Sequence, residues 1–414
     1  MTKAVHIIGA GLAGLSAAVC LTKRGASVVV HDAAGHGGGR CRSYYDQALG
    51  CRIDNGNHLM LSGNHAILDY LKAIGSEDTL VRSDQAEFPF LDLSTGQRWS
   101  VTPDKGIIPW SLFSSDTRVP GSSLSEYLRG LSLAWAGPNK TISQCLGGDG
   151  PLFDKFWDPL AVSVLNTESE TASAQLLWPV LRETFGRGAA ACVPMIVRDG
   201  LSESFVDPAV AYVSNLGGSI HFNHRLRAVN YTNDHVTSLD FGDEQIAIGP
   251  GDRVILAVPP SVAHTLMPEI LTPDVFRPIV NGHFRVPKKS EDVSFMGLVG
   301  GVSHWLFVRG DMASITVSAA TDLVAQSNSD IADCLWSDIC IALDLGDCLL
   351  GKHRIVKEKR ATFAQTPEQL LKRPGVKTQW KNLALAGDWT ATGLPATIEG
   401  TIRSGNTAAS FVFS

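Results

Sequence analysis

Val5-His6-Ile7-Ile8-Gly9-Ala10-Gly11-Leu12-Ala13-Gly14 is the stretch that decides the fold. A short apolar run, Val5 to Ile8, breaks off at a glycine loop, and a helical stretch follows from Leu15 to about Arg24. Gly25 stands where a left-handed cap would end that helix. Val28-Val29-Val30 then predicts a second buried strand, stopped by His31-Asp32. A GxGxxG loop alone is weak evidence; set between a strand and a helix it marks a dinucleotide-binding β-α-β unit. Gly9 permits the tight turn, Gly11 lets the backbone approach a pyrophosphate, and Gly14 allows close helix–strand packing, with Leu12 and Ala13 completing the loop. The phosphate charge would rest on the helix N-terminus, where unpaired N–H groups and the helix dipole favour an anion. Asp32, eighteen residues beyond Gly14, is placed to accept a hydrogen bond from a ribose hydroxyl.

The rest of the chain suits such a unit set in a larger protein. Its 414 residues exceed one small core. Hydrophobic residues at 44% against 18% charged predict a packed chain, not a disordered one. A net charge of −6 and the lack of a Lys/Arg cluster speak against nucleic-acid binding. The eight cysteines form no CxxC pair and no Cys/His constellation with zinc spacing. Free thiols in a reducing cytoplasm, and no metal site, are therefore expected. The apolar start runs straight into the glycine loop, so it predicts a strand and not a secretory signal. No window reaches the roughly 18 uninterrupted apolar residues of a membrane-spanning helix.

From about Glu77 to Gly200 aromatics, prolines and apolar helical stretches dominate, as in Phe153-Asp154-Lys155-Phe156-Trp157-Asp158-Pro159-Leu160. Strand-like runs return at Ser219 to Phe222, Leu226 to Tyr231 and Arg253 to Val258, before Pro259-Pro260. A second aromatic-rich region covers residues 261–375. Leu383-Ala384-Leu385-Ala386 predicts a buried strand ending at Gly387-Asp388, and a helix is expected to begin near Thr397. The expected fold class is α/β. Residues 1–76, 201–260 and 376–414 would form a Rossmann-like dinucleotide domain, and 77–200 with 261–375 a discontinuous mixed α+β substrate domain.

Gly38-Gly39-Arg40, with Ser43 behind it, resembles the loop found at this distance in the flavin amine oxidase and phytoene desaturase superfamily. The resemblance implies that Arg40 and the glycine backbone meet the pyrophosphate and flavin of FAD. The returning tail, Ala386-Gly387-Asp388-Trp389 and then Pro395-Ala396-Thr397-Ile398-Glu399-Gly400, is similar to the tail of the same superfamily. By that likeness Gly387 and Asp388 belong at the ribityl–pyrophosphate region. A helix N-terminus near Ile398 would face the flavin's C2 carbonyl, its dipole stabilising negative charge on the reduced flavin. Asn223-His224-Arg225-Leu226 matches the place where a strand residue of the superfamily contacts adenine through its backbone, and Leu226 is the residue expected there. NAD-only dehydrogenases lack the returning tail, so FAD is the expected cofactor.

Four stretches narrow the resemblance: Asp54-Asn55-Gly56-Asn57-His58, Phe205-Val206-Asp207-Pro208-Ala209, Glu358-Lys359-Arg360-Ala361-Thr362-Phe363-Ala364, and the tail Ala386-Gly387-Asp388-Trp389-Thr390-Ala391-Thr392-Gly393-Leu394-Pro395-Ala396-Thr397-Ile398-Glu399-Gly400. Together they resemble the hydroxysqualene dehydroxylase family of bacterial hopanoid synthesis, and the likeness runs from end to end, including Trp157 to Pro159 and Leu165-Asn166-Thr167. It implies the removal of a hydroxyl from 12-hydroxysqualene to give squalene, water and oxidised FAD. Such chemistry needs a proton donor, and His58, Glu399 and His283 are the candidates, with water and the flavin itself left open beside them. A long isoprenoid would call for an apolar tunnel lined by the aromatics of both substrate segments. No second GxGxxG is present, so an external reductant is required: a small diffusible molecule, a visiting nicotinamide or a partner protein. The expected location is the cytoplasm. Gly106-Ile107-Ile108-Pro109-Trp110-Ser111-Leu112-Phe113 could dip into the inner face of the membrane, though it lacks a Lys/Arg face and a buried loop is an equal expectation. Two other functions share these features. One is an FAD-dependent desaturase or amine oxidase, although the tail offers Trp389 and no second aromatic before Gly400. The other is a non-catalytic flavoprotein that presents lipid.

Overall fold

The computed structural model describes residues 3–106, 108–287 and 293–413; Ile107 of the proposed membrane segment lies outside them. Strand β1 (Ala4–Ile8) lies parallel to β2 (Ser27–His31), with Val5 opposite Val28 and Ile8 opposite His31. Helix α1 (Leu12–Lys23) makes the crossover between them. Three later segments join the same parallel sheet, whose order is Ser219–His221, β2, β1, Arg253–Leu256, Leu383–Leu385. Parallel strands covered on both faces need apolar side chains on both, which is why Val28, Val30, Ile255 and Leu385 are all buried. The C-terminal helix Ile398–Phe413 crosses α1 at very short range. A Cβ at Gly405 would lie 2.0 Å from Ser16 Oγ and 2.3 Å from Ala13 O, so only glycine permits this approach.

Two boundaries differ from the sequence pattern. Helix α1 starts at Leu12, three residues earlier than expected, because Gly11 is its extended N-cap and the second half of the glycine loop is already the first helical turn. Its end conforms: Lys23 is last, and Gly25 takes φ +78°. The strand expected from Leu226 begins at Ala228 and runs to Thr232, leaving Leu226 in the connector that precedes it. Asn223, at φ +55°, turns the chain there.

A second sheet of seven strands draws Phe88–Asp92 and Arg98–Val101 from one segment and five strands between Phe276 and Phe363 from another. Helix Asn328–Ala342 covers its back, packing Leu335, Trp336 and Ile339 against Val280, Phe284 and Ile315. A helical lobe holds a third core around Phe153, Phe156, Leu176 and Leu177. The hairpin of β3 (Ser43–Asp46) and β4 (Cys51–Asp54) leads into Asp54–His58, where Asp54 meets His283 and Arg309 of the second sheet. Among the described residues no helix is long and apolar enough to cross a membrane, and no group of His, Cys, Asp or Glu is arranged to hold a metal ion.

Candidate active site

The glycine loop holds glycines of two kinds. Gly9 sits at φ +108°, and a Cβ there would meet Ala257 O at 2.4 Å. A Cβ at Gly14 would lie 1.9 Å from Gly9 O. Both glycines are demanded by the chain itself. Gly11 is not: a Cβ there would meet nothing within 4 Å. Its missing side chain leaves open room directly in front of α1, where no side chain caps the helix and no acid occupies the first turn. The amides of Leu12, Ala13 and Gly14 therefore face a space fit for an anion, which is what a pyrophosphate requires. Asp32 is fixed at the end of β2, its Oδ2 accepting from Ala10 N (2.6 Å) and its Oδ1 from Ala34 N (2.7 Å). Lone pairs remain on both oxygens for a ribose. Leu226 is buried by Ile8, Val229 and Val254, and its backbone amide and carbonyl make no hydrogen bond among the described residues.

The glycine–arginine loop docks on this cradle. Gly38 donates to Ala10 O (2.8 Å) and forms a parallel bridge to Gly11, with Gly38 and Gly39 at φ +94° and +60°. Arg40 then reaches the returning tail: its Nη2 pairs with Asp388 Oδ1 at 2.7 Å, and its Nη1 donates to Ala361 O. Asp388 is buried, and Asn55 Nδ2 ties Arg40 O to Glu358 Oε2. Two distant motifs thus meet in one ion pair. The tail loop has a second organiser that sequence reasoning missed. Arg373 donates to Leu394 O (2.9 Å), Asp388 O (3.2 Å), Thr390 O and Thr392 Oγ1 (3.2 Å). Burial lowers its pKa to about 10, against the pull of Asp388. Nothing in Lys372-Arg373-Pro374 marks it, because its partners are carbonyls of a loop whose shape the sequence does not reveal. Ser404 Oγ accepts from Gly387 N (2.9 Å), and Ile398 opens the C-terminal helix.

The three proton-donor candidates have unlike surroundings. Glu399 is buried and accepts from Ala66 N (3.1 Å) and Ile67 N (2.9 Å), the first amides of helix α2 (His65–Ile74), while Arg403 pairs with it at 2.7 Å. Its carboxylate is a helix cap. His283 is buried with both nitrogens engaged: Nε2–H donates to Asp54 O (3.0 Å) and Nδ1 accepts from Ser314 Oγ (2.8 Å). Burial lowers its pKa to about 4. His58 is different. Its ring makes no hydrogen bond among the described residues, and it is only partly buried. Burial lowers its pKa below the usual histidine range; Asp54 opposes that shift and Arg40 adds to it. Of the three, His58 alone combines the reach of Arg40's field with free ring nitrogens.

Comparison with known proteins places this geometry. The flavin-containing amine oxidoreductase family matches over residues 12–290 and 314–412. The chain is 46% identical to hydroxysqualene dehydroxylase from Rhodopseudomonas palustris, over 100% of this chain and 99% of that one. It is 42% identical to the Zymomonas mobilis protein of that name, over 99% of each. Putrescine oxidase, solved with putrescine bound, superposes with a TM-score of 0.71 at 17% identity, covering 100% of this chain and 99% of that one, and so shares the fold. The chain is thus an FAD-dependent oxidoreductase of the flavin-containing amine oxidoreductases and belongs, within them, to the hydroxysqualene dehydroxylase family.

Proposed function

We propose that the chain reduces 12-hydroxysqualene to squalene in hopanoid synthesis, using reduced FAD, with His58 as the proton donor. The observation that carries the reaction is the end-to-end likeness, at 42–46% identity, to three dehydroxylases of that name. The reaction balances as alcohol plus reduced FAD giving squalene, water and oxidised FAD. When bound, the reduced flavin supplies the hydride equivalent that ends on carbon. Gly11 and the α1 amides would hold its pyrophosphate, Asp32 a ribose, Leu226 the adenine, and the Arg40–Asp388 pair with Ile398 the flavin end.

The chain's own chemistry is protonation and exclusion of water. A hydroxyl leaves as water only when protonated, and the unengaged ring of His58 suits that transfer. The alcohol is allylic, so its departure leaves a delocalised cation that water must not reach. Leu59 and Leu61, just beyond His58, pack with Phe185 and Trp305 against a buried cluster that holds Phe88 and Phe295. Such rings would suit a polyisoprene chain, and their faces a cation. Access from a bilayer is supported by Trp110 and Phe113, which are 66% and 64% exposed and suit shallow insertion at the membrane's inner face. The test is product identity. Protein photoreduced without oxygen and mixed with 12-hydroxysqualene should yield squalene by mass spectrometry, whereas unchanged alcohol or a further-desaturated polyene would overturn the reading.

A further inference from the structure

The face of the second sheet turned away from its covering helix carries a polar ladder that its apolar surroundings do not call for. Strands Phe276–Arg285 and Met312–Val317 are antiparallel, with Asn281 opposite Thr316 and His283 opposite Ser314. Alternation along each strand puts these four side chains on one face, while Val280, Phe284, Ile315 and Val317 point back into the core against the covering helix. All four polar residues are buried. Burying polar groups inside a sheet costs stability unless each finds a partner, and apolar pairs of the same shape would do the structural work as well. Their partners explain their presence. Asn281 Nδ2 donates to Asn55 O (3.2 Å), and its Oδ1 accepts from Thr316 Oγ1 (2.8 Å). Thr316 Oγ1 in turn accepts from Asn57 Nδ2 (3.1 Å). His283 donates to Asp54 O and is oriented by Ser314. On the far side Arg309 pairs with Asp54 Oδ2 at 3.1 Å. The ladder therefore grips Asp54, Asn55 and Asn57 of the loop that ends in His58.

We propose that Asn281, Thr316 and His283 are positioning residues that set where His58 meets the substrate hydroxyl; this rests on His58 being the proton donor. A proton transfer depends on sub-ångström placement, and a misplacement of about 1 Å can cost on the order of a hundredfold in rate. Loss of the grip should accordingly lower kcat while KM and flavin content hold.

The experiment is a double-mutant cycle on the FAD-loaded enzyme, following flavin reoxidation by 12-hydroxysqualene. Thr316→Val should lower kcat by about tenfold to a hundredfold with KM unchanged, and Thr316→Ser, which keeps the hydroxyl, should restore it. In a His58→Ala background Thr316→Val should have no further effect. If the two losses multiply instead, the ladder does not act through His58 and the inference falls. If His58→Ala alone leaves the rate unchanged, the donor assignment falls first and this inference with it. Asn281→Leu combined with Thr316→Val replaces the pair by apolar groups; it should fold and bind FAD, yet show the same loss of kcat. Full activity in that folded double variant would also overturn the proposal.

Discussion

At the scale of single residues the three loop glycines do different work, and substitution separates them. Gly14→Ala forces a methyl into Gly9 O and should destabilise the protein even without cofactor. Gly11→Ala meets no atom of the chain, and Gly11 has an ordinary φ of −68°. It should therefore leave the melting temperature of the apoprotein unchanged while weakening FAD binding at least tenfold, as measured by titration of flavin fluorescence. Normal FAD affinity in Gly11→Ala would mean that the pyrophosphate lies elsewhere. As the proposed proton donor, His58 yields a pH prediction. A general acid works only while protonated, and burial lowers this one's pKa below 6.5. The rate of flavin reoxidation should fall as pH rises through that lowered pKa, approaching a tenfold loss per unit above it. His58→Ala should abolish that limb and cost about a hundredfold or more in rate.

At the scale of elements, Glu399 caps helix α2. Its carboxylate satisfies amides that nothing else caps. Glu399→Gln keeps an acceptor but loses the charge pair with Arg403, so it should lower the melting temperature by an amount equivalent to about 1 kcal/mol. The rate per bound flavin should stay unchanged; a hundredfold loss of rate at unaltered stability would restore Glu399 as a donor. This residue also marks where the sequence stopped being informative. A glutamate in a first helical turn looks the same whether it faces a flavin or caps a neighbouring helix, because the neighbour lies 333 positions away in the chain. The β-α-β unit was legible because strand, glycine loop and helix are local, and Gly9 and Gly14 answer contacts within that unit or its adjoining strand. The Arg40–Asp388 pair could be anticipated only through resemblance, since 348 residues separate its members. Arg373 and the Asn281–Thr316 pair escaped notice because their roles lie in long-range hydrogen bonds to backbone atoms and amides, which leave no spacing pattern.

For the whole molecule, several histidines are buried uncharged, and this makes the fold sensitive to acid. Burial, with His6, His224 and His221 nearby, brings the pKa of His31 down to about 3, and burial brings His283 and His304 to about 4. Unfolded, each would take up a proton near pH 6.5. Between about pH 6.5 and 4 the unfolded chain therefore binds more protons than the folded one. Stability should fall as pH drops through that window, by up to about 1.4 kcal/mol per pH unit for each histidine. Melting curves at pH 7.5 and 5 check this, and a flat profile would show that these rings are protonated in the fold. Exposed Trp110 and Phe113 make a second prediction at this scale. Vesicles of bacterial lipid should sediment the parent protein, and Trp110→Ser combined with Phe113→Ser should remain in the supernatant. The direction of electron flow is the point on which everything else depends. Stopped-flow mixing of fully reduced enzyme with 12-hydroxysqualene, without oxygen, should restore the oxidised-flavin absorbance in a single turnover, with one squalene formed per flavin. A reduced flavin that stays reduced beside this alcohol, or an oxidised flavin that the substrate reduces, is incompatible with a reductive dehydroxylase.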